Sequence, residues 1–117
     1  MKTQSTRQLK VGQEVKFILS EILMRGDFYH PETKKALQIT ISEVQVSPDL
    51  HNATVYFLPL GGKEDKAKME EVLNKIAPAI KHQMFPKLKT KYVPNLRFKF
   101  DDIFENVTKL DEALNKH

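Results

Sequence analysis

Along the first quarter of the chain, Leu9, Val11, Val15, Ile18, Leu19, Ile22 and Leu23 recur mostly three or four residues apart. That spacing lines one face of a helix. It predicts a first amphipathic helix from about Ser5 to Arg25, with Gly26 as its stop and Arg25 complementing the negative end of the helix dipole. Gly26 to Lys35, carrying Asp27, Pro31 and Thr33, reads as a polar loop. At Leu37 the period changes to two: Leu37, Ile39 and Ile41 alternate with Gln38, Thr40 and Ser42, the mark of a half-buried strand. The parity then switches to Val44 and Val46, so a β-bulge near Ser42-Glu43 is needed to keep one buried face.

Ser47-Pro48-Asp49-Leu50-His51-Asn52 has turn chemistry, and Ala53 to Leu58 is the return strand of a hairpin. Gly61-Gly62 ends it. A second amphipathic helix is predicted from about Glu64, with Met69, Val72, Leu73, Ile76 and Ile80 on one stripe. Pro78 lacks the N–H that would bond the carbonyl of Asn74. It predicts either a kink or a fresh start, with Pro78 in the first turn of a third helix. Pro86 would kink or shorten that helix. Leu96, Phe98 and Phe100 alternate with Arg97 and Lys99 as a third strand, and Phe85, Phe98 and Phe100 read as core. Ile103, Val107, Leu110 and Leu114 predict a short terminal helix over about 102–115, capped by Asp101 or Asp102.

The order is helix, strand, strand, helix, kink, helix, strand, with enough chain before the last strand for a crossover. This predicts an α+β fold in which helices cover one face of a small mixed sheet. The 117 residues fit one domain over 1–117, with its core at about 8–101.

Composition narrows the function. There is no cysteine, which excludes a disulfide framework, a thiolate nucleophile and a zinc–thiolate site and suits a reducing cytoplasm. No apolar run reaches the ~18 residues that span a bilayer, so the reading is a soluble protein with no membrane partner. His30, His51, His82 and His117 are scattered, without metal-ligand spacing, and no phosphate-binding glycine–lysine motif is present. Asp101-Asp102 reads as a cap or solvated turn. The sequence therefore points to no catalytic residue, metal or cofactor, and to a protein that is not an enzyme.

Charge is the informative feature. Val72 to Phe100 holds Lys75, Lys81, Lys87, Lys89, Lys91, Arg97 and Lys99 with no acidic residue, in a chain of 19 basic and 15 acidic residues. A confined basic surface attracts a polyanion in a defined orientation. Ordinary solvated helices mix both signs. Lys75, Lys81, Lys87, Lys89 and Lys91, with His82 beside them, are the candidate phosphate contacts. Arg97 and Lys99 alternate with core residues and belong to the opposite face of the sheet. Tyr29, Tyr56 and Tyr92 are aromatic candidates for base stacking, although Tyr56 is also a natural cross-strand packing residue. A basic amphipathic helix also fits acidic proteins or lipid surfaces, but Pro78, Pro86 and Pro94 cut the basic run into short pieces.

The wording of two segments goes further. Ile39-Thr40-Ile41-Ser42-Glu43-Val44-Gln45-Val46-Ser47-Pro48-Asp49-Leu50, followed by Ala53-Thr54-Val55-Tyr56, and Val93-Pro94-Asn95-Leu96-Arg97-Phe98-Lys99-Phe100-Asp101 resemble the signatures of the ribosome-binding factor A family. The resemblance covers about Gln8 to Asp101. It implies a KH-like type II fold, a monomer, and binding to the small (30S) ribosomal subunit or its 16S rRNA, mature or precursor, in rRNA processing and late subunit maturation. A generic KH-like protein acting on free RNA is the alternative. The chain lacks the Gly-x-x-Gly loop of typical KH domains. Where the family has alanine-any-glycine at a helix kink, this chain has Ile76-Ala77-Pro78.

Overall fold

The computed structural model describes residues 4–26, 28–30, 34, 37–59, 66–88 and 93–102. Along the chain these form α1 (Thr6–Met24), β1 (Ile39–Val46), β2 (Asn52–Pro59), α2 (Lys66–Met84) and β3 (Asn95–Phe100). The strands make one sheet in the order β1-β2-β3, antiparallel between β1 and β2 and parallel between β2 and β3. A parallel neighbour needs a crossover, and α2 provides it. Buried residues of both helices and all three strands form one cluster, with Val15, Leu19, Ile22, Val55, Phe57, Leu73, Ile80, Met84 and Phe98 at its centre. The expected α+β layering is thus present.

Helix α1 begins with a capping box. Ser5 Oγ accepts the backbone N–H of Gln8, and Gln8 Oε1 accepts the N–H of Ser5, which satisfies two N–H groups that the helix cannot pair internally. Gln8 is buried, because its amide also donates to the carbonyl of Val46 at 2.8 Å. That bond turns Gln8 inward and leaves Leu9 exposed, contrary to the stripe expected from periodicity. At the other end Gly26 adopts φ 72° and its N–H reaches the carbonyl of Leu23. The stop is where the sequence placed it. Phe28 and His30, in the expected loop, pack inward, and Leu37 N–H bonds the Phe28 carbonyl.

The bulge is also present. Ile41 pairs with Phe57 and Glu43 with Tyr56, which leaves Ser42 unopposed. The Ser42 hydroxyl donates to Asp101 Oδ2 at 2.5 Å, with the Tyr56 carbonyl 3.2 Å away as the other acceptor in reach. The extra residue is thereby tied to the far end of β3. Gly12 of α1 lies against the Val44 carbonyl, where a Cβ would come within 3.0 Å, so the missing side chain lets helix and strand approach.

The β1–β2 turn is held by its own side chains. Ser47 Oγ donates to Asp49 Oδ1 at 2.6 Å, and the N–H of His51 donates to the same oxygen at 3.0 Å. Leu50 takes φ 64° with its side chain packed against the core. These bonds, the Ser47 hydroxyl first, hold the Asp49 carboxyl below the usual aspartate range. A depressed folded-state pKa stabilises the turn at neutral pH, and the contribution fades as pH falls through the folded value. In an NMR pH titration the Asp49 midpoint should lie below that of an unstructured aspartate, and Ser47→Ala should move it up. An unchanged midpoint in that variant would show that Ser47 is not the main cause.

Two expectations are corrected. Pro78 does not divide two helices: α2 runs unbroken from Lys66 to Met84 with Pro78 inside it. Proline removes one hydrogen bond and costs about 3 kcal/mol in a helix interior, but Leu73, Ala77, Ile80 and Met84 are buried on both sides of it. That shared packing keeps the helix whole. Pro86 falls just past its end, where the residue before a proline is biased away from helical geometry. Phe85 is the second correction: it lies in the turn after α2 and is 64% exposed. The Gly61-Gly62 stop, the helix start near Glu64 and the terminal helix over about 102–115 lie outside the described residues, apart from Asp102.

A candidate nucleic-acid interface

Both edges of the sheet are met by helix side chains at several backbone positions. On the β1 edge, Gln8 bonds the Val46 carbonyl and Lys16 Nζ bonds the Ser42 carbonyl at 3.1 Å. On the β3 edge, Glu70 Oε2 accepts the N–H of Phe100 at 3.2 Å. One turn along α2, Asn74 accepts the N–H of Phe98 at 2.8 Å and donates to the Phe98 carbonyl at 3.0 Å. Asn74 thus pairs with β3 as a neighbouring strand would. The next turn brings Pro78 to the level of Leu96 and offers no polar group. Asn74, Ala77, Pro78, Lys81, Asn95 and Leu96 there line a shallow notch of about 300 Å³.

Lys81 closes the far side of that notch. Its ammonium donates to Asn95 Oδ1 at 2.7 Å, and the N–H of Asn95 bonds the carbonyl of His51 at 2.8 Å. The end of α2, the start of β3 and the β1–β2 turn are therefore linked through one asparagine. Lys81 and His82 occupy the last turn of α2, where positive charge complements the dipole. Of the expected kink residues, Ala77 is buried, Ile76 half-buried and Pro78 exposed.

The other sequence-derived candidates are dispersed. Lys75 is exposed and pairs with Glu71 at 3.4 Å one helical turn away, a contact of little energetic weight. Lys87 lies beyond α2 against α1, in a cleft lined by Glu14, Phe17, Ile18, Glu21 and Arg25. Its Nζ is buried without a hydrogen-bond partner, and Phe17 beside it is 66% exposed. Arg97 and Lys99 point away from the helices and are exposed. Tyr29 is exposed and Tyr56 half-buried. Lys89, Lys91 and Tyr92 lie outside the described residues. The structure thus brings together Lys81, His82 and the Ala77–Pro78 step and sets Lys87 apart on the α1 side.

Reading the sequence missed Glu70, Asn74 and Asn95. A signal was present for the first two: a polar pair four residues apart beside the apolar stripe, one member an asparagine, which is a weak helix former. Among the described residues no three His, Asp or Glu side chains come together as a metal site. No described helix is long and apolar enough to cross a membrane.

A mixed three-stranded sheet backed by two helices, with a basic helix end meeting one sheet edge, defines a small α+β binding domain. The model of the family described as ribosome-binding factor A matches residues 7–114. A ribosome-binding factor A of Sinorhizobium medicae is 43% identical over 111 residues, 94% of this chain and 81% of that protein. The chain belongs to the ribosome-binding factor A family. The crystal structure of ribosome-binding factor A from Thermus thermophilus shares the fold, with TM-score 0.62 and 14% identity over 79% of this chain and 93% of that one. A Thermus thermophilus ribosome binding factor A homology model, fitted into a cryo-EM map of a 30S complex with that factor, matches with TM-score 0.58 and 16% identity. It covers 85% of this chain and 96% of its own.

Proposed function

We propose that this chain is a single-domain, monomeric and non-enzymatic factor of the cytoplasm that binds the small ribosomal subunit and assists 16S rRNA processing and late subunit maturation. Membership of the ribosome-binding factor A family supports the partner, as does the fold it shares with a factor fitted to a 30S map. The helix–strand–strand–helix–strand order is compatible with a KH-like type II domain.

The observation that carries the mode of binding is the acid-free basic stretch at the end of α2 and beyond it. Phosphate contacts give affinity and position without reading sequence. Lys81 uses one of its three donors on Asn95, which leaves two for a phosphate. Lys87 holds a buried ammonium without a hydrogen-bond partner in the α1 cleft, which Glu14 and Glu21 also line, so it adds positive charge there rather than an open donor. Lys75 and His82 add exposed positive or titratable groups on α2, and Lys89 and Lys91 continue the basic run in sequence.

The test is small-subunit binding across a salt series. Each lysine placed on a phosphate steepens the dependence of log affinity on log salt by about 0.9 for a duplex or about 0.7 for a single strand. Lys81→Ala, Lys87→Ala and Lys89→Ala combined should therefore flatten the slope by roughly two to three units. A control lacking Lys10 and Lys34, basic residues outside the stretch, should keep it. An unchanged slope in the triple variant would remove these lysines from the interface.

A further inference from the structure

The face of the sheet turned away from the helices has its own chemistry. Strand register sets two rows of neighbours across it: Gln45, Thr54 and Arg97 in one, and Glu43, Tyr56 and Lys99 in the next. Tyr56 stands on the central strand with Lys99 at its side and Arg97 two residues along the same edge strand. The core lies on the opposite face, and Tyr56 is half-buried on this one.

The charges on this face are not equivalent. Its acids are engaged within the face: Glu43 accepts from Gln45 Nε2 at 3.4 Å, and Asp101 accepts from the Ser42 hydroxyl. Arg97 and Lys99 are exposed and, among the described residues, neither has an acidic partner within ion-pair reach. They stand about 6.6 Å apart along β3, two residues at the rise of a parallel strand. Two unpaired cations beside an accessible aromatic ring fit a flexible polyanion that also carries flat apolar faces. A duplex offers phosphates but keeps its bases stacked inside; a single strand offers both.

We propose that the helix-free face of the sheet is a second RNA surface that takes an unpaired stretch, one base stacking on Tyr56 while neighbouring phosphates meet Arg97 and Lys99. This rests on RNA being the partner, as proposed above, and adds a site separate from the α2 surface. The two surfaces would let the protein hold a helix-side phosphate backbone and an unpaired strand at once.

The chain has no tryptophan, so Tyr56→Trp introduces a single indole reporter. Octauridylate should quench its fluorescence, and an RNA duplex or polyglutamate should not. In the same background, Arg97→Ala with Lys99→Ala should weaken octauridylate binding about tenfold at low salt and lower the salt slope by about 1.4, two contacts at ~0.7 each. The Lys81, Lys87 and Lys89 triple variant should still be quenched. On the wild-type chain, the Tyr56 ring resonances should shift upfield with octauridylate, which guards against a misfolded variant. Equal quenching by duplex or by polyglutamate overturns the stacking site. So does silence at position 56 in both assays while the wild-type chain still sediments with small subunits, an outcome that leaves the proposed function standing. Loss of small-subunit sedimentation as well would remove both.

Discussion

Phe98→Ala is expected to lower the unfolding free energy by about 3–5 kcal/mol, the usual cost of truncating a buried aromatic residue. Phe98 is fully buried on β3 and belongs to the cluster that joins the sheet to both helices. Domains of ordinary stability have only ~5–15 kcal/mol in total, so the variant should unfold at a much lower denaturant concentration with little change in slope. Phe85→Ala is the matched comparison. Its ring is 64% exposed, and its loss should stay within about 0.5 kcal/mol. Equal effects at the two positions would contradict the placement of both rings.

Asn74→Ala should cost about 1.5 kcal/mol. The side chain makes two hydrogen bonds to the backbone of Phe98, each worth ~0.5–1.5 kcal/mol, and alanine regains several tenths of that through its higher helix propensity. Asn74→Asp should cost at least as much despite its similar shape. It keeps an acceptor for the Phe98 N–H but sets a carboxylate oxygen against the Phe98 carbonyl, where the amide donated. Amide exchange at Phe98 is the local readout and should speed up in both variants. Unchanged protection there would mean that the edge is held by something other than Asn74.

Sequence made the local devices of this fold legible. Period three-to-four gave way to period two at Leu37, the parity switch placed the bulge within a residue of Ser42, and Gly26 marked the helix end it terminates. Each of those signals lies within a few residues of its own cause. Gln8 and Leu9 exchanged roles because the partner of Gln8 is a carbonyl 38 residues away, which periodicity does not register. Asn74 was hidden for the same reason: its partner is the edge of a strand that exists only once the sheet has formed. Phe85 looked like core because it is apolar, yet it follows the last residue of α2 and has no sheet beneath it. Pro78 argued for a kink or a fresh start on local grounds, and burial on both sides of it kept one helix despite the lost bond. The site was legible as charge and not as geometry. One basic run in the chain is spread over the end of α2, the α1 cleft and the open sheet face; alternation with core residues placed Arg97 and Lys99 on the last of these, and no linear spacing set Lys87 apart from Lys81.

The occupied edge positions have a consequence for how the molecule behaves among its own kind. An unpaired strand edge is a template on which another chain can add a strand, the first step towards domain swapping or amyloid growth. Here the carbonyls of Val46 and Ser42 and both backbone groups of Phe98 are already occupied by side chains of the same chain. These contacts come from helices and carry no further edge of their own, so at these positions a fourth strand finds no free backbone group to pair with. The polar groups that fasten the helices to the sheet therefore also oppose the growth of separate copies onto one another at those positions.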